Sequence, residues 1–264
     1  MASPSDAADS LRAAATSTSQ ARLQRAHPGR YLGVAGIDPA GVVHDPLAEI
    51  QRAVEELDLR AIALEPGREP FDAPHPADPR LHPIYALIQE LGATLMLQTS
   101  GYYGGRNLDY ANPRWIDQLA ESFPELRIVC GHGCYPWARE LVAVAVRRHH
   151  VYPSPDLYLY TPARREWTYA VNRGLIADQL LFGSGYPLGL PLEQSVRRFL
   201  IAGWRPRRLD RILYRSALRA FALEVDPAFA EAAAAGRRYG AGSMLIAAVR
   251  LVLGEIWRRG RARH

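Results

Sequence analysis

The five residues Cys130-Gly131-His132-Gly133-Cys134 gather the densest set of reactive side chains in the sequence. An imidazole held between two glycines just after an apolar run could project into a pocket mouth, as a general base or to polarise a carbonyl. The competing reading is a histidine that only hydrogen-bonds a neighbouring loop. The two thiols suggest a metal site, but this spacing fits none of the usual zinc arrangements. Glu65, Gln98 and Asp156 also follow short apolar runs. Either acid could orient His132 or act as acid or base, and either could instead cap a helix or pair with an arginine. Tyr102, Tyr103, Arg106, Tyr135, Trp137 and Tyr186 surround one cation with aromatic rings. That set could hold a carboxylate-bearing ligand on Arg106, or it could be loop packing. His75, His82, His149 and His150 carry no assigned chemistry, the last two following a helix whose carboxyl end favours positive charge.

These residues need a scaffold, and the hydrophobic pattern supplies one. Six short apolar runs, Tyr31–Ile37, Ala61–Leu64, Thr94–Leu97, Arg127–Cys130, Val151–Tyr152 and Gln179–Phe182, are each followed by a turn and a segment of helical period. That alternation predicts parallel βα units, either as an open doubly wound sheet or as part of a (β/α)8 barrel. No glycine-rich nucleotide-binding loop follows any run, which weakens the open-sheet option. In a barrel, chemistry collects at the carboxyl ends of the strands, where this chain places Glu65, Gln98, His132, Asp156, and Ser184 with Tyr186.

With 264 residues, 48% of them hydrophobic, the chain can bury a core without disulfides. All 32 basic residues are arginine, and against 27 acids they leave a net charge of +5 that reads as spread along the chain. This argues against nucleic-acid binding, which needs its charge gathered in one stripe. Two cysteines and no apolar leader predict a cytoplasmic protein. Three segments are expected: a flexible 1–26, a βα domain over 27–225 and a basic helical tail over 226–264. Within the tail, Ser243 to Trp257 has amphipathic spacing, suited to packing on protein or, less readily, to lying on an anionic membrane.

Five segments resemble, in order, landmarks of the amidohydrolase-related family typified by aminocarboxymuconate semialdehyde decarboxylase. They are Pro28–Val34, Asp78–Tyr85, Ile128–Gly133, Leu181–Pro187 and Arg211–Ala217. The resemblance implies an α/β fold, an amidohydrolase-type (β/α)8 TIM barrel, in which the six runs are the third to eighth strands. The barrel would be incomplete or irregular on its amino-terminal side. Zinc or another divalent transition metal is the family norm. Of its ligands only His132 is retained: Gln98 stands where a histidine closes the fifth strand, Gly185 stands where an aspartate closes the eighth, and no His-x-His pair precedes Tyr31. The expectation is therefore a protein with no metal cofactor of its own, acting on a small carboxylated or aromatic molecule. It would be a metal-independent enzyme with His132 as base, assisted by Asp156 or Glu65, with Gln98, Arg106, Tyr135, Trp137 and Tyr186 binding substrate. Alternatively it would be the supporting subunit of a homo- or hetero-oligomer with an amidohydrolase-like chain, or a non-enzymatic structural or peripheral membrane-associated protein docking through its basic C-terminal helix.

Overall fold

The apolar runs become strands where helices bury one face and the chain's later segments bury the other. The computed structural model describes residues 17–67, 73–102, 104–105, 107–186 and 189–229. Within them β1 (Ala35–Gly36), β2 (Ala61–Leu64), β3 (Thr94–Gln98), β4 (Arg127–Gly131) and β5 (Val151–Ser154) form one sheet in sequence order. Every neighbouring pair is parallel. A helix at 17–26 (α1) precedes β1. The crossovers carry α2 (Pro46–Gln51), α3 (His82–Glu90), α4 (Pro113–Ser122) and α5 (Ala138–Arg147). After β5 come α6 (Arg164–Arg173), α7 (Leu192–Leu200), α8 (Pro206–Asp210) and α9 (Ser216–Ala220). Local chemistry fixes several helix ends. Asp45 and Asn112 accept backbone N–H groups at the starts of α2 and α4, each with a proline just inside the helix. Gly174, at φ 88°, closes α6 in the left-handed conformation.

Side chains alternate across the sheet. Leu95, Leu97, Ile128, Cys130 and Val151 join the outer core shared with the helices. On the inner face the register stacks three layers. Ala61, Thr94 and Arg127 form the lowest, and Ala63, Met96, Val129 and Tyr152 the middle one. Gln98, Gly131 and Ser154 form the top layer, and Glu65 continues it beyond β2. The middle layer is covered by the chain's own later segments: Val129, Tyr152, Leu181 and Ala220 form a separate apolar cluster, joined by Met96, Ala217 and Phe221. Thr94 Oγ1 donates to the Ala220 carbonyl at 2.6 Å, pinning α9 there.

Several expectations need correction. The sixth run, Gln179–Phe182, forms no ladder; the Leu181 N–H bonds the Pro153 carbonyl at 2.9 Å and the pairing stops. In a parallel ladder the return bond would come from the N–H of residue 155, which is a proline and has none. The first run narrows to the two residues of β1. Residues 17–26, expected to be flexible, form a helix with Ser17 and Ala21 fully buried. The amphipathic stretch Ser243 to Trp257 lies outside the described residues.

His150 also departs from its expected charged role. It is half-buried, its ring facing the Ala120 carbonyl at 3.3 Å, and burial lowers its pKa. Burial does the same to His75, which stacks on Trp115 at 3.8 Å. Both stay neutral in the fold at a pH where the unfolded chain takes up protons. Stability is therefore expected to be fully present above about pH 6.5 and to decline as the pH falls below it. Urea midpoints measured between pH 5 and pH 7.5 should show this fall, and His150→Gln should flatten it.

Candidate active site

β4 ends in a turn of three consecutive left-handed residues. His132, Gly133 and Cys134 all have left-handed φ values, 66°, 59° and 52°. Non-glycine residues adopt that conformation at a cost of order 1–3 kcal/mol each, so the surroundings must hold them there. Asp156, itself at φ 48°, supplies much of the hold. Its Oδ2 accepts the His132 backbone N–H at 2.9 Å and lies 3.1 Å from His132 Nδ1, and its Oδ1 accepts the Ser154 hydroxyl at 3.1 Å. The Nδ1 contact is poorly aligned for a hydrogen bond, so it counts as charge proximity only. Asp156 is 9% exposed, whereas the His132 side chain keeps 23% of its surface open. Because Nδ1 is buried, that open part lies elsewhere on the ring.

Two glycines make room for this arrangement. A Cβ on Gly183 would sit 2.3 Å from Asp156 Oδ1 and 2.7 Å from Ser154 Oγ, so the sixth run passes directly against the carboxylate. A Cβ on Gly131 would sit 2.9 Å from Gln98 Oε1, which places the Gln98 amide across the end of β4. Thr99 braces the same turn, donating to the Gly131 carbonyl at 2.6 Å and accepting the Cys134 N–H at 3.1 Å.

An aromatic wall stands beside the histidine. Tyr158 meets the His132 ring edge-on at 5.9 Å and stacks on Tyr135 at 4.6 Å, while Tyr102 meets both tyrosines edge-on. The Tyr158 hydroxyl shares a 2.7 Å hydrogen bond with Ser100 Oγ.

The structure thus brings His132, Asp156, Gln98 and Tyr135 together. Glu65 lies in the same layer, two strands from His132. Trp137 is half-buried just before α5, its N–H bonded to the Cys134 carbonyl at 2.8 Å. Tyr186 stands 69% exposed, and Tyr103 and Arg106 lie outside the described residues. Sequence reasoning missed Tyr158, Ser100, Thr99, Ser154 and Gly183. Only the proximity of Ser154 and Tyr158 to Asp156 in the chain hinted at two of them.

Among the described residues, the two thiols beside His132 are unsuited to hold a metal. Cys130 and Cys134 are both buried, and the hydrogen bond between them, then burial, pushes the Cys130 thiol well above its usual pKa. A protonated thiol is a poor ligand. Gly185, also left-handed, offers no side chain, and among the described residues no group of three or more His, Cys, Asp or Glu could hold an ion.

An amidohydrolase family model matches residues 4–223. The chain belongs to the amidohydrolase family. Among solved structures it is similar to Bb4693, an uncharacterized TIM-barrel protein from Bordetella bronchiseptica. The two are 32% identical over 79% of this chain and 72% of that one, with a TM-score of 0.71. It also shares its fold with 2,6-dihydroxybenzoate decarboxylase in complex with 2,6-dihydroxybenzoate, at 16% identity over 80% and 77% of the two chains and a TM-score of 0.61. A third likeness of fold is to 4-oxalomesaconate hydratase from Rhodopseudomonas palustris, at 22% identity over 86% and 74% and a TM-score of 0.58. Among curated proteins, none matches the chain. The fold is thus an amidohydrolase-type parallel barrel, not closed among the described residues. No helix among them is long and apolar enough to cross a membrane.

Proposed function

We propose that this amidohydrolase-family chain acts on small aromatic carboxylates by non-oxidative decarboxylation or a related hydrolytic step, with His132 and Asp156 as its acid–base pair. The observation that carries the reading is the buried Asp156 carboxylate 3.1 Å from His132 Nδ1, beneath a ring that is partly open and faces an aromatic wall. A carboxylate at that distance places a negative charge beside the ring and holds the His132 turn through its backbone N–H. The exposed Tyr102, set edge-on to the stacked pair Tyr135 and Tyr158, offers a ring to an aromatic substrate, and the Gln98 amide offers hydrogen bonds to its polar groups. In decarboxylation the imidazolium of His132 gives its proton to the ring carbon bearing the carboxylate. The bond to the carboxylate then breaks, its electrons stay with the ring, and carbon dioxide leaves. Support for the substrate class comes from the shared fold with a protein whose structure holds 2,6-dihydroxybenzoate.

The test is conversion of dihydroxybenzoates to dihydroxybenzenes by the purified chain, with and without a chelator, followed by chromatography. His132→Ala is expected to lower turnover by roughly a hundredfold or more, and the chelator should leave it unchanged. Turnover that the variant does not reduce would remove His132 from the chemistry. The sheet edge left open at β1 among the described residues favours a second reading, a supporting subunit that completes its sheet against an amidohydrolase-like partner. Activity only after mixing with such a chain would replace the first reading with the second.

A further inference from the structure

The solvent face of α6 carries a second concentration of chemistry, away from His132. Arg165, Thr168, Tyr169, Asn172 and Arg173 fall at helical spacing along one stripe and, with Arg205, line a cavity of about 450 Å³. Trp167, Ala170 and Val171 occupy the opposite, buried face. The cavity is pre-shaped by Asn172, which uses both ends of its amide on the loop before α8. Its Oδ1 accepts the Arg205 N–H at 2.7 Å and its Nδ2 donates to the Gly203 carbonyl at 2.9 Å. The Arg173 guanidinium lies 5.5 Å over the Tyr169 ring, which limits its rotamers.

No acidic residue lines the cavity, and among the described residues none of its three arginines has an ion-pair partner. The surrounding sequence is equally one-sided: residues 164–208 hold eight arginines against three acids, a balance equal to the whole chain's +5. The stretch that supplies the cavity thus carries a local excess of positive charge. Three unpaired guanidiniums around one concavity repel one another, and an anion seated among them relieves that repulsion with charge-assisted hydrogen bonds. The volume is within the range of small-molecule sites, roughly 300–1,000 Å³.

We infer that this cavity binds a small polyanion bearing phosphoryl or several carboxylate groups. The assignment is independent of the chemistry at His132.

Isothermal titration of the full chain with pyrophosphate and with citrate, at fixed ionic strength and with acetate as control, tests it. At least one of the two should bind saturably at one site, with acetate silent, and the tighter of them distinguishes a phosphoryl from a carboxylate ligand. Arg173→Ala and Arg205→Ala should each weaken binding at least tenfold while keeping the wild-type circular dichroism, and Arg207→Ala, outside the cavity, should leave it unchanged. Absence of saturable heat with both probes, or affinity indifferent to Arg173→Ala and Arg205→Ala, would overturn the assignment. A single-stranded oligonucleotide that binds more tightly than either probe, and is lost in the same two variants, would replace the small ligand with a nucleic acid.

Discussion

Asp156→Asn is expected to lower turnover of an aromatic carboxylate by about 10²–10⁴, the range of losses when a catalytic histidine is deprived of its carboxylate partner. The variant keeps the size of the side chain, so the loss is chemical rather than steric. One carboxylate now serves three groups: the His132 N–H, the Ser154 hydroxyl and the edge of the His132 ring at Nδ1. A neutral amide has one acceptor oxygen and turns a donor toward one of these partners. Whichever way it turns, the imidazolium loses its counter-charge. Asp156→Ala should also destabilise the fold by roughly 1–3 kcal/mol, because it leaves two buried donors without an acceptor. Ser154→Ala touches only Oδ1 and should cost far less activity. Steady-state rates for the three variants, beside their urea midpoints, separate chemistry from stability. Asp156→Asn within threefold of wild type would mean that the pair does no acid–base work.

Gly183→Val is expected to disrupt the fold and the site together. The added Cβ would fall 2.3 Å from Asp156 Oδ1, on a carboxylate that two donors already hold in place. It cannot be accommodated without moving the sixth run or the His132 turn, and overpacking of this kind costs typically about 1–3 kcal/mol. Activity should fall along with stability because the displaced carboxylate carries the histidine. The mechanism has its own check in a double-mutant cycle: combined with Asp156→Ala, the cost of Gly183→Val should shrink by at least half. Equal costs in both backgrounds would place the strain elsewhere.

The sequence by itself determined the order of parallel βα units, the family landmarks, and which residues follow the strands. These are local properties: strand and helix periodicity are written over a few residues, and prolines and asparagines mark the helix starts. His132, Asp156, Glu65 and Gln98 could be placed at strand ends for that reason. The tertiary structure decided which of them meet. His132 and Asp156 are 24 residues apart in the chain, and they meet because β4 and β5 are adjacent and both turns enter the left-handed region. No periodicity encodes that turn geometry, which the packing around it must stabilise. The aromatic wall has the same origin, since Tyr158 reaches Ser100 across 58 residues of chain. Two further features lay beyond any pattern in the sequence. The inner face of the sheet is closed by α9, held through the bond from Thr94 to Ala220, because the register left an apolar layer that had to be buried. The sixth run stops short of a strand because Pro155, one strand away, has no N–H to return the bond.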